Sequence, residues 1–235
     1  TSRMGEIHKN IWLLTSSMGI IHAAAFGAVK GKLRAVTNLF TSGRFYLYYN
    51  PVKDQYKLND VGDAVEAESL ITNLKAYYAA SLCAEIVLLS FAGGPGSREL
   101  FSLIQNIFAL LHSKEHDMVS YAVVHFIWRY LKLSGLRPDP EVCIGCGKKL
   151  EVNETAYYSG LETGYLCSSC SPGGDYPLPP GARRFLVKTE SMRLKDAAKV
   201  RLDKRSLEQV KQNMFYVIQE ALETPLNTLK TAKGI

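Results

Sequence analysis

Cys143-Ile144-Gly145-Cys146 and Cys167-Ser168-Ser169-Cys170 are two C-x-x-C pairs with twenty residues between their inner cysteines. Each pair turns tightly enough to aim two thiolates at one point, and two pairs together complete a tetrahedron of sulfur ligands. Four thiolates fill every position around the ion, so no water can bind there for catalysis. The spacing therefore predicts one structural Zn²⁺ per chain, held in a compact module over residues 143–170.

Such cysteine pairs have three other uses, which are alternatives to a structural zinc site. A redox C-x-x-C needs a thioredoxin-like βαβ setting, which the surrounding pattern does not show. Disulfides need an oxidising compartment, whereas no secretory leader is recognisable. A zinc deaminase needs an upstream H-x-E sequence, and none of the five histidines is followed by that spacing. A structural zinc site is therefore the preferred interpretation.

Residues 1–65 have the pattern of a small β domain. Arg44, Tyr46 and Tyr48 fall on one face of an alternating stretch, and the intervening residues fall on the other face. Asn50-Pro51 breaks this strand, and residues 53–58 can return as its hairpin partner. Several short strands separated by turns fit a small barrel or sheet.

From residue 66 the apolar residues recur at intervals of three and four, which is typical of helices. We expect a helical domain over residues 66–142, with helices at 66–91, 98–112 and 117–134. Residues 171–181 contain four prolines and are expected to form a linker. The C-terminal part, residues 182–235, is expected to complete the helical domain with helices at 190–199 and 205–223. The chain is therefore expected to be an α+β protein.

Charge is distributed unevenly along the chain, whose formal net charge is +6. Basic and acidic residues number eight and four over 1–65, eight and twelve over 66–180, and twelve and six over 181–235. Two basic ends that flank an acidic middle suggest that both ends contact a polyanion. No apolar run reaches the length of a membrane span. No Walker A, G-x-G-x-x-G, G-x-S-x-G or H-E-x-x-H sequence occurs, so an enzyme is not expected, although scattered carboxylates leave a nuclease open.

The candidate nucleic-acid surface combines cations, which contact phosphates, with aromatic rings, on which bases stack. Its N-terminal members are Lys30, Lys32, Arg34, Arg44, Tyr46, Tyr48, Lys53 and Lys57. Arg183 and Arg184 begin a second basic stretch that continues to Arg205. For any one of these residues an ordinary packed or solvated side chain is the alternative, and the clustering is what favours binding.

A candidate site for a partner peptide lies on the predicted helix 117–134. His125, Arg129 and Lys132 occupy positions i, i+4 and i+7, so they share one side of that helix. A basic and apolar helix face of this kind suits an acidic peptide that ends in an aromatic residue. The alternative is an ordinary amphipathic helix that turns part of this side to the core.

The order of these parts resembles the RecO family of bacterial DNA repair proteins. The likeness covers nearly the whole chain and rests on Gly5-Glu6, residues 13–21, Phe26-Gly27, residues 30–34, residues 131–138 and the two C-x-x-C pairs with their flanking residues. It implies an N-terminal OB-fold β-barrel, a helical domain and a zinc-bearing insertion. It also implies a β-strand before Gly5-Glu6, where this sequence has four residues, so we expect the first barrel strand to be missing or the barrel to be incomplete.

The resemblance also implies a function. It implies binding of single- and double-stranded DNA, annealing of complementary strands, and partnership with RecR and the single-strand-binding protein, so that RecA is loaded onto coated gaps. The side of the helix that carries His125, Arg129 and Lys132 is then the expected dock for the acidic C-terminal tail of the single-strand-binding protein. We therefore expect a cytoplasmic, nucleoid-associated mediator without covalent chemistry. The alternative is a zinc-stabilised scaffold that binds only proteins.

Overall fold

The structure is a computed structural model that describes residues 1–90, 97–113, 115, 117–171 and 176–231. It has an N-terminal sheet, a helical body and a small second sheet that carries the cysteine pairs, so the expected α+β class is confirmed. No helix within these described residues has the length and apolarity that crossing a membrane requires.

The N-terminal sheet has five strands in the order β1-β2-β3-β5-β4. The strands are β1 (Ser2–Met4), β2 (His8–Thr15), β3 (Gly19–Ala25), β4 (Ser42–Asn50) and β5 (Gln55–Val65). Neighbours are antiparallel except β3 and β5, which are parallel. Over the described residues β1 and β4 are the two free edges, so the sheet is not a closed barrel. The strand expected to be missing is present as the three-residue β1, and the OB fold stays a prediction.

Side-chain alternation gives the N-terminal sheet two different faces. The inner face carries Ile11, Ala23 and Leu58, which are buried together with the inward residues Phe45 and Leu47 of β4. The opposite side of β4 carries exposed side chains, as the alternation over residues 44–49 predicts. We call this opposite side the outer face of the sheet.

The first predicted helix, over residues 66–91, is divided in two. The chain forms α2 (Glu68–Thr72) and α3 (Leu74–Leu89), and Asn73 between them has an extended backbone. The Asn73 side chain accepts hydrogen bonds from the backbone N–H groups of Lys75 and Ala76, which is the contact that an N-cap makes. The prediction of one continuous helix is therefore wrong, and its predicted end at Phe91 lies outside the described residues.

The helices after α3 include α5, whose Phe126, Ile127 and Trp128 are among the largest fully buried side chains. These helices are α4 (Ser97–Leu111), α5 (Met118–Leu133), α6 (Pro180–Glu190), α7 (Leu194–Ala197), α8 (Lys204–Ala221) and α9 (Asn227–Thr231). The predictions for α4, α5 and α8 agree to within one or two residues. The predicted helix 190–199 is wrong, since α6 ends at Glu190 and only one short turn follows. Moreover, α6 begins at Pro180, inside the segment predicted to be a linker.

Phe40 joins the N-terminal sheet to the helical body. Its ring makes edge-to-face contacts with Tyr77 of α3 and Phe108 of α4, at centroid distances of 6.0 Å and 5.5 Å. Its backbone lies in the left-handed region with φ of 64°, which is unfavourable for a residue with a Cβ. Leu14 and Ile20, at one end of the outer face, also pack against the helical core. Elsewhere on the outer face, Trp12, Tyr46 and Tyr48 are exposed among the residues that the structure describes.

Candidate metal centre and nucleic-acid surface

The four cysteines of the two C-x-x-C pairs converge on one point. Their Sγ atoms all lie within 4.8 Å of one another, and the Sγ atoms of Cys146 and Cys167 are 3.9 Å apart. In a zinc tetrahedron with Zn–S bonds of about 2.3 Å, the sulfurs are about 3.8 Å apart. The cysteine set therefore fits a tetrahedral metal ion, as the spacing predicts, and the identity of the metal remains the prediction of zinc.

Backbone hydrogen bonds set the shape of this centre. The N–H of Cys167 donates to Sγ of Cys143 at 3.3 Å, and Gly147, with φ of 72°, closes the first turn by donating to the Cys143 carbonyl. Burial opposes ionisation of Cys143. Hydrogen bonds from the backbone N–H groups of Cys167, Cys146 and Gly145 nevertheless lower the pKa of its thiol to about 6. A thiolate is the form that binds metal.

A small sheet connects the metal centre to the helical body. Its strands are β6 (Ala156–Ser159), β7 (Gly164–Leu166) and β8 (Pro177–Leu178), in the order β7-β6-β8. The buried Tyr165 hydroxyl donates to Oδ1 of Asn213 on α8 at 2.7 Å, and the Asn213 amide donates to the Tyr176 carbonyl at 2.9 Å. Tyr176 stacks on Tyr216 of α8 with 3.4 Å between ring centroids. The metal module is therefore anchored on α8.

Arg183 belongs to this anchor and is not free to bind DNA. The residue is buried, and its guanidinium donates to the carbonyls of Leu150, Glu151 and Val152 in the loop that precedes β6. The donors of Arg183 are therefore used inside the protein, which speaks against the predicted contact with phosphate. Arg184 is exposed but also donates to the Val152 carbonyl, at 3.1 Å.

Four of the N-terminal candidates, Arg44, Tyr46, Tyr48 and Lys57, lie on the outer face, whereas Leu33 of the segment that carries Lys30, Lys32 and Arg34 packs with the inner-face residues. Tyr48 pairs with Lys57 across β4 and β5, and Lys57 pairs with Ala24 across β5 and β3, so these side chains share one side. Tyr46, Tyr48 and Lys57 are exposed, and Arg44 is exposed while paired with Asp63 at 3.1 Å. Three further cations, Lys30, Lys32 and Arg34, are exposed on the turn after β3 and on α1 (Leu33–Val36), and Lys53 is exposed in the β4–β5 turn.

Two aromatic residues outside the predicted set complete the outer face. Trp12 is 41% exposed and lies 5.0 Å from its cross-strand partner His22, measured between ring centroids. Phe26 is 45% exposed, and Nζ of Lys57 lies 5.6 Å from the centre of its ring. The available signal was the alternation along β2, in which Trp12 falls opposite the buried Ile11. We call the set Trp12, Phe26, Tyr46, Tyr48, Lys57 and Arg44 the aromatic platform.

The start of the basic C-terminal stretch is not continuous with the outer face. Phe108 of α4 contacts Phe40, whereas Leu103 and Asn106 of α4 line a groove with Arg193 and Lys195. At 3.6 residues per turn, Phe108 points about 140° to 160° away from these two residues. Arg193 and Lys195 therefore lie across α4 from the sheet. The expectation that both basic ends contact one polyanion stays a prediction.

The three residues predicted to bind a peptide have different environments. His125 is buried against Phe185 of α6, with 5.3 Å between ring centroids, so it is not available to a partner. Burial and, after it, the nearby Arg129 guanidinium lower the pKa of His125 to about 4. Arg129 is partly buried and donates to the carbonyls of Thr189 and Met192. Lys132 is exposed and pairs with Glu190 at 2.6 Å.

Arg129 and Lys132 nevertheless border a groove of about 650 Å³ between α4, α5, α6 and α7. Its apolar lining comes from Leu103, Leu133 and Leu194, and its polar rim also includes Glu99 and Arg193. His125 therefore belongs to the core and not to the predicted peptide site. Arg129 and Lys132 line a groove whose other lining residues include apolar, acidic and basic side chains.

These features define a class of protein, in which a four-cysteine cluster that can hold a metal ion is built onto a helical body beside an N-terminal sheet with an exposed aromatic and basic face. Residues 71–230 match the family model described as "Recombination protein O C terminal". The DNA repair protein RecO of Clostridium novyi is 31% identical, over 78% of this chain and 72% of the relative. The RecO proteins of Acetivibrio thermocellus and Clostridium acetobutylicum are 28% and 25% identical, over 98% and 92% of this chain and 93% and 85% of the relatives. The chain belongs to the RecO family and has a role in DNA repair and recombination.

Proposed function

We propose that this chain is a recombination mediator that binds single- and double-stranded DNA, anneals complementary strands, and helps load RecA onto gaps covered by the single-strand-binding protein. RecR is the expected partner in that step. The observation that carries the proposal is the aromatic platform on the outer face. No covalent step is part of the proposal, and the metal centre acts as a structural support.

The platform has the two features that a single strand requires. Exposed rings offer stacking surfaces for bases, and each stacked base contributes about 1–3 kcal/mol in alanine-substitution experiments. Lys57 and Arg44 offer positive charge to the phosphates, whose bound counterions are released on binding. Bases that are stacked on the protein stay unpaired, and screened phosphates repel a second strand less. Both effects favour annealing.

The test is fluorescence anisotropy of a labelled single-stranded oligonucleotide across a series of salt concentrations. Trp12→Ala is expected to weaken binding by about 5- to 150-fold with the salt slope unchanged, because stacking on one ring is lost. Lys57→Gln is expected to reduce the slope of log K against log salt by about 0.7, the value for one phosphate contact on a single strand. Lys149→Gln, an exposed cation on the metal module, is the matched control and should change neither quantity. Equal binding by the wild type and both platform variants would refute the proposal.

A second candidate function is suggested by the groove between α4 and α7, which fits an interaction scaffold. Cations and an apolar floor in one groove suit an acidic peptide that ends in an aromatic side chain, such as the predicted tail of the single-strand-binding protein. Lys132→Glu is expected to weaken such a peptide at least tenfold in a titration, whereas Lys188→Glu, exposed on α6, should not. If the peptide binds and oligonucleotides do not, the chain is a scaffold rather than a DNA-binding mediator.

A further inference from the structure

The metal centre is buried on one side and open on the other. Cys143 and Cys167 are fully buried and belong to the main hydrophobic core. Cys146 and Cys170, the second cysteine of each pair, are exposed. One cysteine of each C-x-x-C pair therefore lies on the water side of the centre, while the other is shielded by packed side chains.

The two exposed cysteines also lie close together. Their Sγ atoms are among the four that lie within 4.8 Å of one another. The first turn packs directly on the second: a Cβ placed on Gly145 would lie 3.5 Å from both Cβ and Sγ of Cys170. A disulfide needs about 2.05 Å between the two sulfurs. The side chains of Cys146 and Cys170 must therefore move closer together, and both lie on the solvent side of the centre.

We propose that this centre is an oxidation site, at which a peroxide converts Cys146 and Cys170 into a disulfide and releases the metal. In the first step a thiolate sulfur of this pair attacks the peroxide, so that an S–O bond forms, the O–O bond breaks and hydroxide leaves. This gives a sulfenic acid. The second thiolate then attacks that sulfur, an S–S bond forms, and a second hydroxide leaves. The two sulfurs together lose two electrons, hydrogen peroxide gains them and ends as water, and Zn²⁺ departs because two of its four ligands are gone.

The structural change caused by oxidation is expected to stay within the two cysteine turns. The small sheet keeps its anchors on α8, namely the hydrogen bond from Tyr165 to Asn213 and the stack of Tyr176 on Tyr216. These contacts do not pass through the cysteines. Oxidation should therefore open the two cysteine turns while the helical body stays folded, and a thiol reductant with added Zn²⁺ should restore the centre.

The test uses the full chain loaded with Zn²⁺ and treated with hydrogen peroxide, while a chromophoric chelator reports free zinc. We expect one zinc released per chain, with mass spectrometry mapping one disulfide, between Cys146 and Cys170. Cys170→His keeps four metal ligands but removes one sulfur of the pair, and should slow zinc release at least tenfold. Cys83→Ala is the control, since Cys83 is buried in α3 away from the centre, and should release zinc as fast as the wild type.

A map that places the disulfide within one C-x-x-C pair, or between the buried Cys143 and Cys167, would overturn the proposal. So would retention of zinc under peroxide at concentrations that oxidise free cysteine. If Cys170→His does not bind zinc, the proposal is tested by the disulfide found in the oxidised wild-type chain, which must join Cys146 to Cys170. None of these readouts uses nucleic acid, so their outcome is independent of the proposed DNA binding.

Discussion

Replacing Arg183 with methionine separates a structural role of this residue from contact with DNA. Methionine keeps an unbranched apolar side chain in the buried space and removes the guanidinium. The carbonyls of Leu150, Glu151 and Val152 then lose their donor in the loop that precedes β6. Arg184→Met is the matched control, because that neighbour is exposed and donates only to the Val152 carbonyl.

The expected loss follows from counting these hydrogen bonds. The guanidinium donates to the Glu151 carbonyl and, at 3.3 Å, to the Val152 carbonyl, whereas the contact to Leu150, at 3.5 Å, is at the distance limit and adds little. A hydrogen bond that involves a charged group contributes about 1.5–3 kcal/mol, so two of them contribute about 3–6 kcal/mol. For a protein of this size each kcal/mol corresponds to roughly 2–4 °C in Tm. Arg183→Met should therefore lower Tm by about 6 °C or more. Arg184→Met should lower Tm by less than about 3 °C, because its single hydrogen bond is exposed and water can replace the lost donor.

The assay is thermal unfolding followed by circular dichroism, together with oligonucleotide binding measured below the transition. We expect the Arg183 variant to lose stability and to bind single-stranded DNA within about twofold of the wild type while it is folded. The opposite pattern, an unchanged Tm with a large loss of DNA affinity, would mean that Arg183 reaches phosphate and would refute the structural assignment.

Three further predictions concern other parts of the molecule. Because the unfolded chain protonates His125 near pH 6.5 and the folded chain only near pH 4, stability should fall as the pH drops between these values. The loss is about 3 kcal/mol, and urea titrations should show that His125→Gln lacks this part of it. The free energy of unfolding of Phe40→Gly should exceed that of Phe40→Ala by about 1 kcal/mol in urea titrations, because only glycine tolerates the positive φ without strain. Equal free energies of unfolding would contradict this. Removal of the metal with a strong chelator should speed hydrogen exchange at the Ile144 and Cys167 N–H groups and leave α5 protected, and an unchanged exchange rate at both would argue against a metal-dependent module.

Local pattern predicted the parts of the fold that depend on neighbouring residues. The alternation over residues 44–49 identified the exposed side of β4, and apolar spacing identified α4, α5 and α8. The break at Asn73 was missed because Leu, Ala and Glu on both sides favour helix, while the capping contact depends on the backbone of one residue. Helix α6 was missed because prolines suggested a linker, although proline is tolerated in the first turn of a helix.

The sequence by itself determined the metal centre, since two tight turns at that spacing can bring four thiolates together whatever surrounds them, and it determined the family. Only the tertiary structure decided which charged and aromatic residues are available to partners. Arg183 finds its carbonyl partners 31 to 33 residues away, and His125 is covered by Phe185 from another helix. Trp12 and Phe26 are exposed, whereas Leu14 and Ile20 of the same face are covered by the described part of the helical body. Burial depends on which distant segments pack together, and no local pattern contains that information.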